Sequence, residues 1–193
     1  SYVMLNNSKI DVSGNVKNYM DDKMSIDLNA KGSLQSSDVA AFLPKDFRNL
    51  ISYKGKMPLS ITATGNTKVQ NIKAELTANP SNYISLIDIN ALKGQQTKIH
   101  SNIEIIGDSL TFTNTGISNN KTTIAILSGG ISKLYSSPKL NLNLSVPNII
   151  SFPIWGMGSS SNISANGNVS IVGDMMNPNL RGTVNLTDIS IKD

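Results

Sequence analysis

The sequence predicts an all-β protein: one elongated, curved antiparallel sheet with an apolar groove and a single short helix. Three observations predict it. Apolar and polar residues alternate with a period of two along most of the chain. Strand starts fall about 10–15 residues apart, which leaves no room for the helical crossovers that parallel strands need. The charged fraction is low at 16% and the apolar fraction modest at 39%, so Ser, Thr and Asn fill the difference. Those residues suit a sheet with one wet face and many turns.

Taken in order, Ile10, Val12, Gly14 and Val16 share one side of a first strand, and Lys17 to Asp22 form the turn after it. Met24, Ile26, Leu28 and Ala30 repeat the pattern, as do Met57, Leu59, Ile61 and Ala63 before a turn at Gly65-Asn66. Weaker strands are expected over Val69 to Leu76, Tyr83 to Ile89, Ile99 to Ile106, Leu110 to Thr113 and Thr122 to Leu127. Asn79-Pro80-Ser81, Gly107-Asp108 and Asn119-Asn120 separate them as turns. Leu140, Leu142, Leu144 and Val146 give the cleanest alternation, with Asn141, Asn143 and Ser145 opposite. Ile163, Ala165, Gly167, Val169 and Ile171 continue it, followed by Val184 and Leu186. Ile189 and Ile191 then resume on odd positions, which places a bulge near Thr187-Asp188.

Two segments depart from the rhythm. Ser37 caps a short helix at about 37–44 that Pro44 ends, with Phe47, Leu50 and Ile51 as a second apolar turn. The stretch at about 147–161 carries prolines, glycines and serines and is expected to be an irregular loop.

A sheet with one apolar face must hide it, and one short helix is too little cover for about twelve strands. The sheet either folds on itself as a sandwich or curls around an apolar trough. The inward positions are mostly Ile, Leu, Val, Ala and Met, and Trp155 lies in the irregular stretch. Branched aliphatics suit acyl chains, because that contact needs area and no fixed geometry. Burying a methylene gains about 0.8 kcal/mol, so a 16-carbon chain gains on the order of 12 kcal/mol. A bilayer offers nearly the same, so exchange between bilayer and groove is close to balanced. Strands of about 8 residues span roughly 26 Å, and about twelve of them at ~4.8 Å make a trough near 55 Å long.

Other function classes find little support. The net charge is +4, but the lysines (Lys9, Lys17, Lys23, Lys31, Lys54, Lys56, Lys68, Lys73) are spread out and aromatics make up only 5%. Nucleic-acid binders cluster such charges and interleave aromatics, so no nucleic-acid partner is expected. Cysteine is absent, so there is no disulfide frame and no Cys-based metal site or nucleophile. His100, the sole histidine, falls in an alternating run and reads as a sheet residue. Asp21, Asp22, Asp46, Asp108 and Asp174 fall at expected turns. No metalloprotease, hydrolase or phosphate-loop motif occurs, so neither an enzyme nor a cofactor is expected. No stretch reaches the ~20 apolar residues of a membrane helix. The chain opens directly on Tyr2-Val3-Met4-Leu5 and is read as a single segment, 1–193, of a longer protein.

Three places resemble the AsmA/TamB family. The first is Gly173-Asp174-Met175-Met176-Asn177-Pro178-Asn179-Leu180-Arg181-Gly182-Thr183-Val184-Asn185-Leu186, read as a strand reaching a glycine, a Pro-containing turn and a second glycine opening another strand. The others are Lys31-Gly32-Ser33-Leu34 leading into the short helix, and Gly55-Lys56-Met57-Pro58-Leu59 through Gly65. The resemblance implies a β-taco-like sheet in the periplasm of a two-membrane bacterium, carrying phospholipid between inner and outer membranes. It further implies an inner-membrane anchor and, in TamB-like members, an outer-membrane barrel partner. The motif at Asn177 to Gly182 favours the TamB branch.

On this reading Met24, Ile26, Leu28, Leu59, Ile61, Leu140, Leu142, Leu144, Val169, Ile171, Val184 and Leu186 contact acyl chains. The alternative is a structural β-repeat or adhesin-like surface module with a closed core and no ligand.

Overall fold

The structure is a computed structural model that describes residues 2–5, 7–19, 23–35, 37–38, 51–53, 56–78, 84–86, 96–119, 122–153 and 162–191. Its strands are β1 (Tyr2–Leu5), β2 (Ser8–Lys17), β3 (Ser25–Gln35), β4 (Ile51–Tyr53), β5 (Lys56–Asn66), β6 (Val69–Ala78) and β7 (Ile84–Leu86). They continue as β8 (Thr97–Ile106), β9 (Ser109–Asn119), β10 (Thr123–Ser132), β11 (Lys139–Pro153), β12 (Asn162–Asp174) and β13 (Asn177–Ser190). Eleven of them form one curved, open sheet in the order β1-β2-β3-β5-β6-β8-β9-β10-β11-β12-β13. Every neighbour pair is antiparallel. The remaining two, β4 and β7, pair with each other as a separate antiparallel ribbon.

The sheet's two rims differ. At one rim the connections are short: Thr67-Lys68, Gly107-Asp108, Met175-Met176 and the stretches 18–24 and 133–138. Asn66 Oδ1 accepts from the backbone N–H groups of Lys68 (2.8 Å) and Val69 (2.9 Å), and so closes the β5–β6 turn. Neighbouring turns are also stitched together through the backbone. Gly107 N donates to Lys68 O (3.2 Å), Leu134 N to Asp108 O (2.9 Å) and Met175 N to Pro138 O (3.1 Å). The three longest connections, 36–55, 79–96 and 154–161, all leave from the opposite rim.

Burial follows that asymmetry. Among the described residues only Met57, Ile124, Ile150 and Ala165 are buried apolar residues, and all lie towards the long-connection rim. Ser8, Asp38 and Thr97 are the buried polar ones, at the same rim. Asp38 Oδ2 accepts from Ser8 Oγ (2.5 Å) and Asn7 N (3.1 Å), while Ser8 Oγ accepts from Gln35 N (2.7 Å). A buried carboxylate is tolerable only with such donors, and this knot ties the start of 36–55 to the β1–β2 turn.

From β1 to β8 the strands pair without a register shift. Shifts appear from the β8–β9 pair onward, at Asn102/Ile103, Thr123/Ala125, Leu127/Gly129, Val146/Ile150 and Ser164/Ala165. Such bulges bend and twist a sheet locally. The last one leaves Thr187 unpaired between Leu186 and Asp188, where the switch to odd apolar positions places it.

Three expectations need correction. β11 runs on through Val146 to Pro153, so the stretch expected to be irregular from 147 begins as strand, with Pro147 inside a register shift that dispenses with its missing N–H. The β12–β13 turn is Met175-Met176 alone; Pro178 and Gly182, expected in the turn and at the strand's opening, both lie inside β13. The strand sought at Tyr83 to Ile89 is described over Ile84–Leu86, as β7, and there it pairs with β4 rather than joining the eleven-stranded sheet. Of the short helix at about 37–44, only Ser37 and Asp38 belong to the described residues.

Candidate functional site

The ladder register assigns each side chain to a face. Ile26 and Leu28 of β3 stand opposite Val16 and Gly14 of β2, and opposite Gly65 and Ala63 of β5. Leu59 and Ile61 pair with Leu76 and Ala74 of β6, which meet Ile99 and Ser101 of β8. Ile103 and Ile105 face Phe112 and Leu110 of β9, and Leu110 faces Ile131 of β10. Leu140, Leu142 and Leu144 of β11 follow, opposite Gly173, Ile171 and Val169 of β12. Val184 and Leu186 of β13 stand opposite Gly167 and Ala165. One apolar face therefore runs unbroken across all eleven strands. Eleven of the twelve predicted contact residues lie on it, and Met24 is half-buried one residue before β3.

The opposite face is polar. Asp11, Lys31, Ser60, Glu75 and His100 form one row across neighbouring strands. Asn141 and Asn143 are on that side, opposite Val172 and Ser170. His100 Nε2 lies 3.2 Å from Asn114 Oδ1, and Lys98 Nζ lies 3.3 Å from Glu75 Oε1. Hollows of about 420 Å³ beside Asp11, Ser13, Asn29 and Lys31, and about 270 Å³ beside Lys73, Glu75 and His100, belong to this face. No group of metal-ligating side chains occurs among the described residues.

The apolar face has no second layer packed on it among the described residues. Every pair of strands in extensive contact is a pair of ladder neighbours. Yet its side chains are partly shielded: along β3, Ser25 and Asp27 are exposed while Ile26 and Leu28 are half-buried. Towards the last strand this shielding fades, and Leu180, Val184 and Leu186 are 67%, 58% and 57% exposed. An apolar hollow of about 160 Å³ opens here between Leu144, Val146, Ala165, Gly167, Val169 and Val184. Gly167 makes room for it, having no side chain between Val146 and Val184.

Glycines are phased with this face: Gly14, Gly32, Gly65, Gly129, Gly167 and Gly182 all fall on it. Leaving out a Cβ on the inner side lets strands bend and approach. Gly14 and Gly129 show how strict the requirement is. Gly14 (φ 122°) and Gly129 (φ 95°) adopt backbone angles that L side chains avoid, and a Cβ on either would run into the carbonyl of Asp27 or Asn141.

Comparisons with protein-family models, with characterised proteins and with solved structures find no match to this chain. Any reading of its function therefore rests on the face itself and on the sequence resemblance.

The apolar lining is wider than the residues singled out from sequence. Val3 of β1, Ile72 of β6, Ile103 of β8, Phe112 of β9 and Leu127 of β10 join it. The signal for most of them is the same two-residue period, hidden where a bulge resets the phase. Chemically the face can do one thing well: hold flexible apolar chains by area, with no charged group among the lining to fix an orientation.

Proposed function

We propose that this chain is a segment of a lipid conduit, carrying phospholipid acyl chains along its apolar face between the inner and outer membranes of a two-membrane bacterium. The observation that carries the reading is the aliphatic face, continuous over eleven antiparallel strands and packed against no second layer among the described residues. A soluble monomer rarely leaves a contiguous apolar patch of that extent without a ligand or partner for it. Eleven strands at ~4.8 Å make the face roughly 50 Å long, too short to cross an envelope alone. The segment would work in series with more sheet. A periplasmic setting, an inner-membrane tether and an outer-membrane barrel partner come from the AsmA/TamB resemblance and belong to the same proposal.

The test places a photo-crosslinker at Leu142 or at Asn143 in cells. These neighbours lie on opposite faces of β11. Phospholipid adducts from Leu142 and none from Asn143 support the conduit. Equal labelling from both, or none from either with no phospholipid in native mass spectra, rejects it. The last outcome is what the closed structural module demands.

A further inference from the structure

We propose that the hydroxyl pair Ser101–Thr115 is an ester-recognition point on the apolar face, where it takes the carbonyl groups of a diacyl glycerolipid. The inference rests on the conduit reading and adds which lipids the face prefers. Ser101 of β8 and Thr115 of β9 are ladder partners. Their row runs Ile61, Ala74, Ser101, Thr115, Leu127 and Leu144, so two hydroxyls interrupt an otherwise aliphatic line. Ile99 and Ile103 come two residues either side of Ser101, on the same face.

A bulge brings Thr115 there. Leu110 and Phe112 are on the apolar face, and strict alternation would put Asn114 after them. The register shift at Asn102/Ile103 passes over Thr113 instead. Asn114 then pairs with Asn102 on the polar face, and Thr115 with Ser101 on the apolar one. Bulges of this kind re-aim a side chain and are over-represented next to functional sites.

The pair also has hydrogen-bonding capacity to spare. Ser101 Oγ and Thr115 Oγ1 lie 2.8 Å apart and share one hydrogen bond. Two hydroxyls bring two O–H donors, and that bond uses one of them. Neither side chain has a further hydrogen-bond partner among the described residues. Both residues are half-buried, so the spare donor can be reached from the face. Water satisfies it until an apolar ligand covers the row, and a covered hydroxyl without a partner costs free energy. Methylenes offer no acceptor, whereas an ester carbonyl restores the bond. The matching ligand is apolar along its length with neutral acceptors at one end, which is the chemistry of chains ester-linked to glycerol. A free fatty acid suits the pair less, because its carboxylate would enter a row that holds no cation.

Native mass spectrometry tests this with an equimolar mixture of a diacyl phosphatidylcholine and the dialkyl ether phosphatidylcholine of equal chain length. The ether keeps the headgroup and chains but has no carbonyl, and the two adducts differ in mass. On the unaltered chain the ester adduct should exceed the ether adduct about three- to ten-fold. Ser101→Ala combined with Thr115→Val removes both hydroxyls together, orphans neither, and should erase that excess. Exchanging them, Ser101→Thr with Thr115→Ser, should keep it; circular dichroism checks the fold of each variant. Equal adducts on the unaltered chain overturn the inference whatever the variants do, and leave the conduit standing. An excess that survives loss of both hydroxyls does the same. Absence of both adducts overturns it together with the conduit.

Discussion

At the scale of single residues, Gly129 shows how tightly backbone and function are linked. Its positive φ is set in the middle of β10, opposite Leu142, where the apolar face is continuous. Gly129→Ala adds a methyl against the Asn141 carbonyl and strains the backbone. A loss of about 1–3 kcal/mol is expected from denaturant unfolding. Leu142 carries the opposite kind of information. It is half-buried with no second layer on its face among the described residues, so Leu142→Asp should keep the β-structure in circular dichroism yet stop lipid passage in the full-length protein. Global unfolding of that variant would make Leu142 a core residue instead. Asp38 differs from both, since its carboxylate is buried under donors from Asn7 and Ser8. Asp38→Ala strands those donors and should cost about 1–3 kcal/mol in the same unfolding measurement.

Elements were legible where local pattern and tertiary setting agree. The alternation of Leu140, Leu142 and Leu144 is the apolar face of β11, and the turn at Gly107-Asp108 is where the residue types put it, while the turn expected at Gly65-Asn66 falls just beyond, at Thr67-Lys68, with both residues inside β5. The departures have physical causes. Asn177-Pro178-Asn179 carries strong turn chemistry, but as the opening of an outer strand it can leave the missing proline N–H on the solvent side. The real turn, Met175-Met176, has no turn residues to announce it. Ile124 is buried at a register shift, where a period of two loses count. The candidate site was legible as a set of faces, since alternation alone sorts residues in and out. Its continuity was not, because strand order and register come from pairings between distant residues. Edge position also has a dynamic consequence. The outer strands β1 and β13 each have one ladder neighbour, whereas β11 and β12 have two. Hydrogen exchange read by mass spectrometry should therefore release amides of β1 and β13 well before those of β11 and β12.

Over the whole molecule, extensive contact among the described residues runs only between ladder neighbours. Such a protein is nearly one-dimensional, and its stability is a sum over adjacent pairs rather than one shared core. Calorimetry should then give a van't Hoff enthalpy below the calorimetric one, as for repeat arrays; equality of the two would mean a single cooperative unit. The unequal rims add something for anyone who wishes to re-engineer the molecule. Along the side stitched turn to turn, from Lys68 through Gly107 and Asp108 to Leu134, a single added residue would disturb the next hairpin as well as its own. The opposite side already tolerates the excursions 36–55 and 79–96 while Gln35 stays aligned with Lys56 and Ala78 with Thr97. Tags, reporters or grafted modules belong there, where extra length leaves the phase of the ladder untouched.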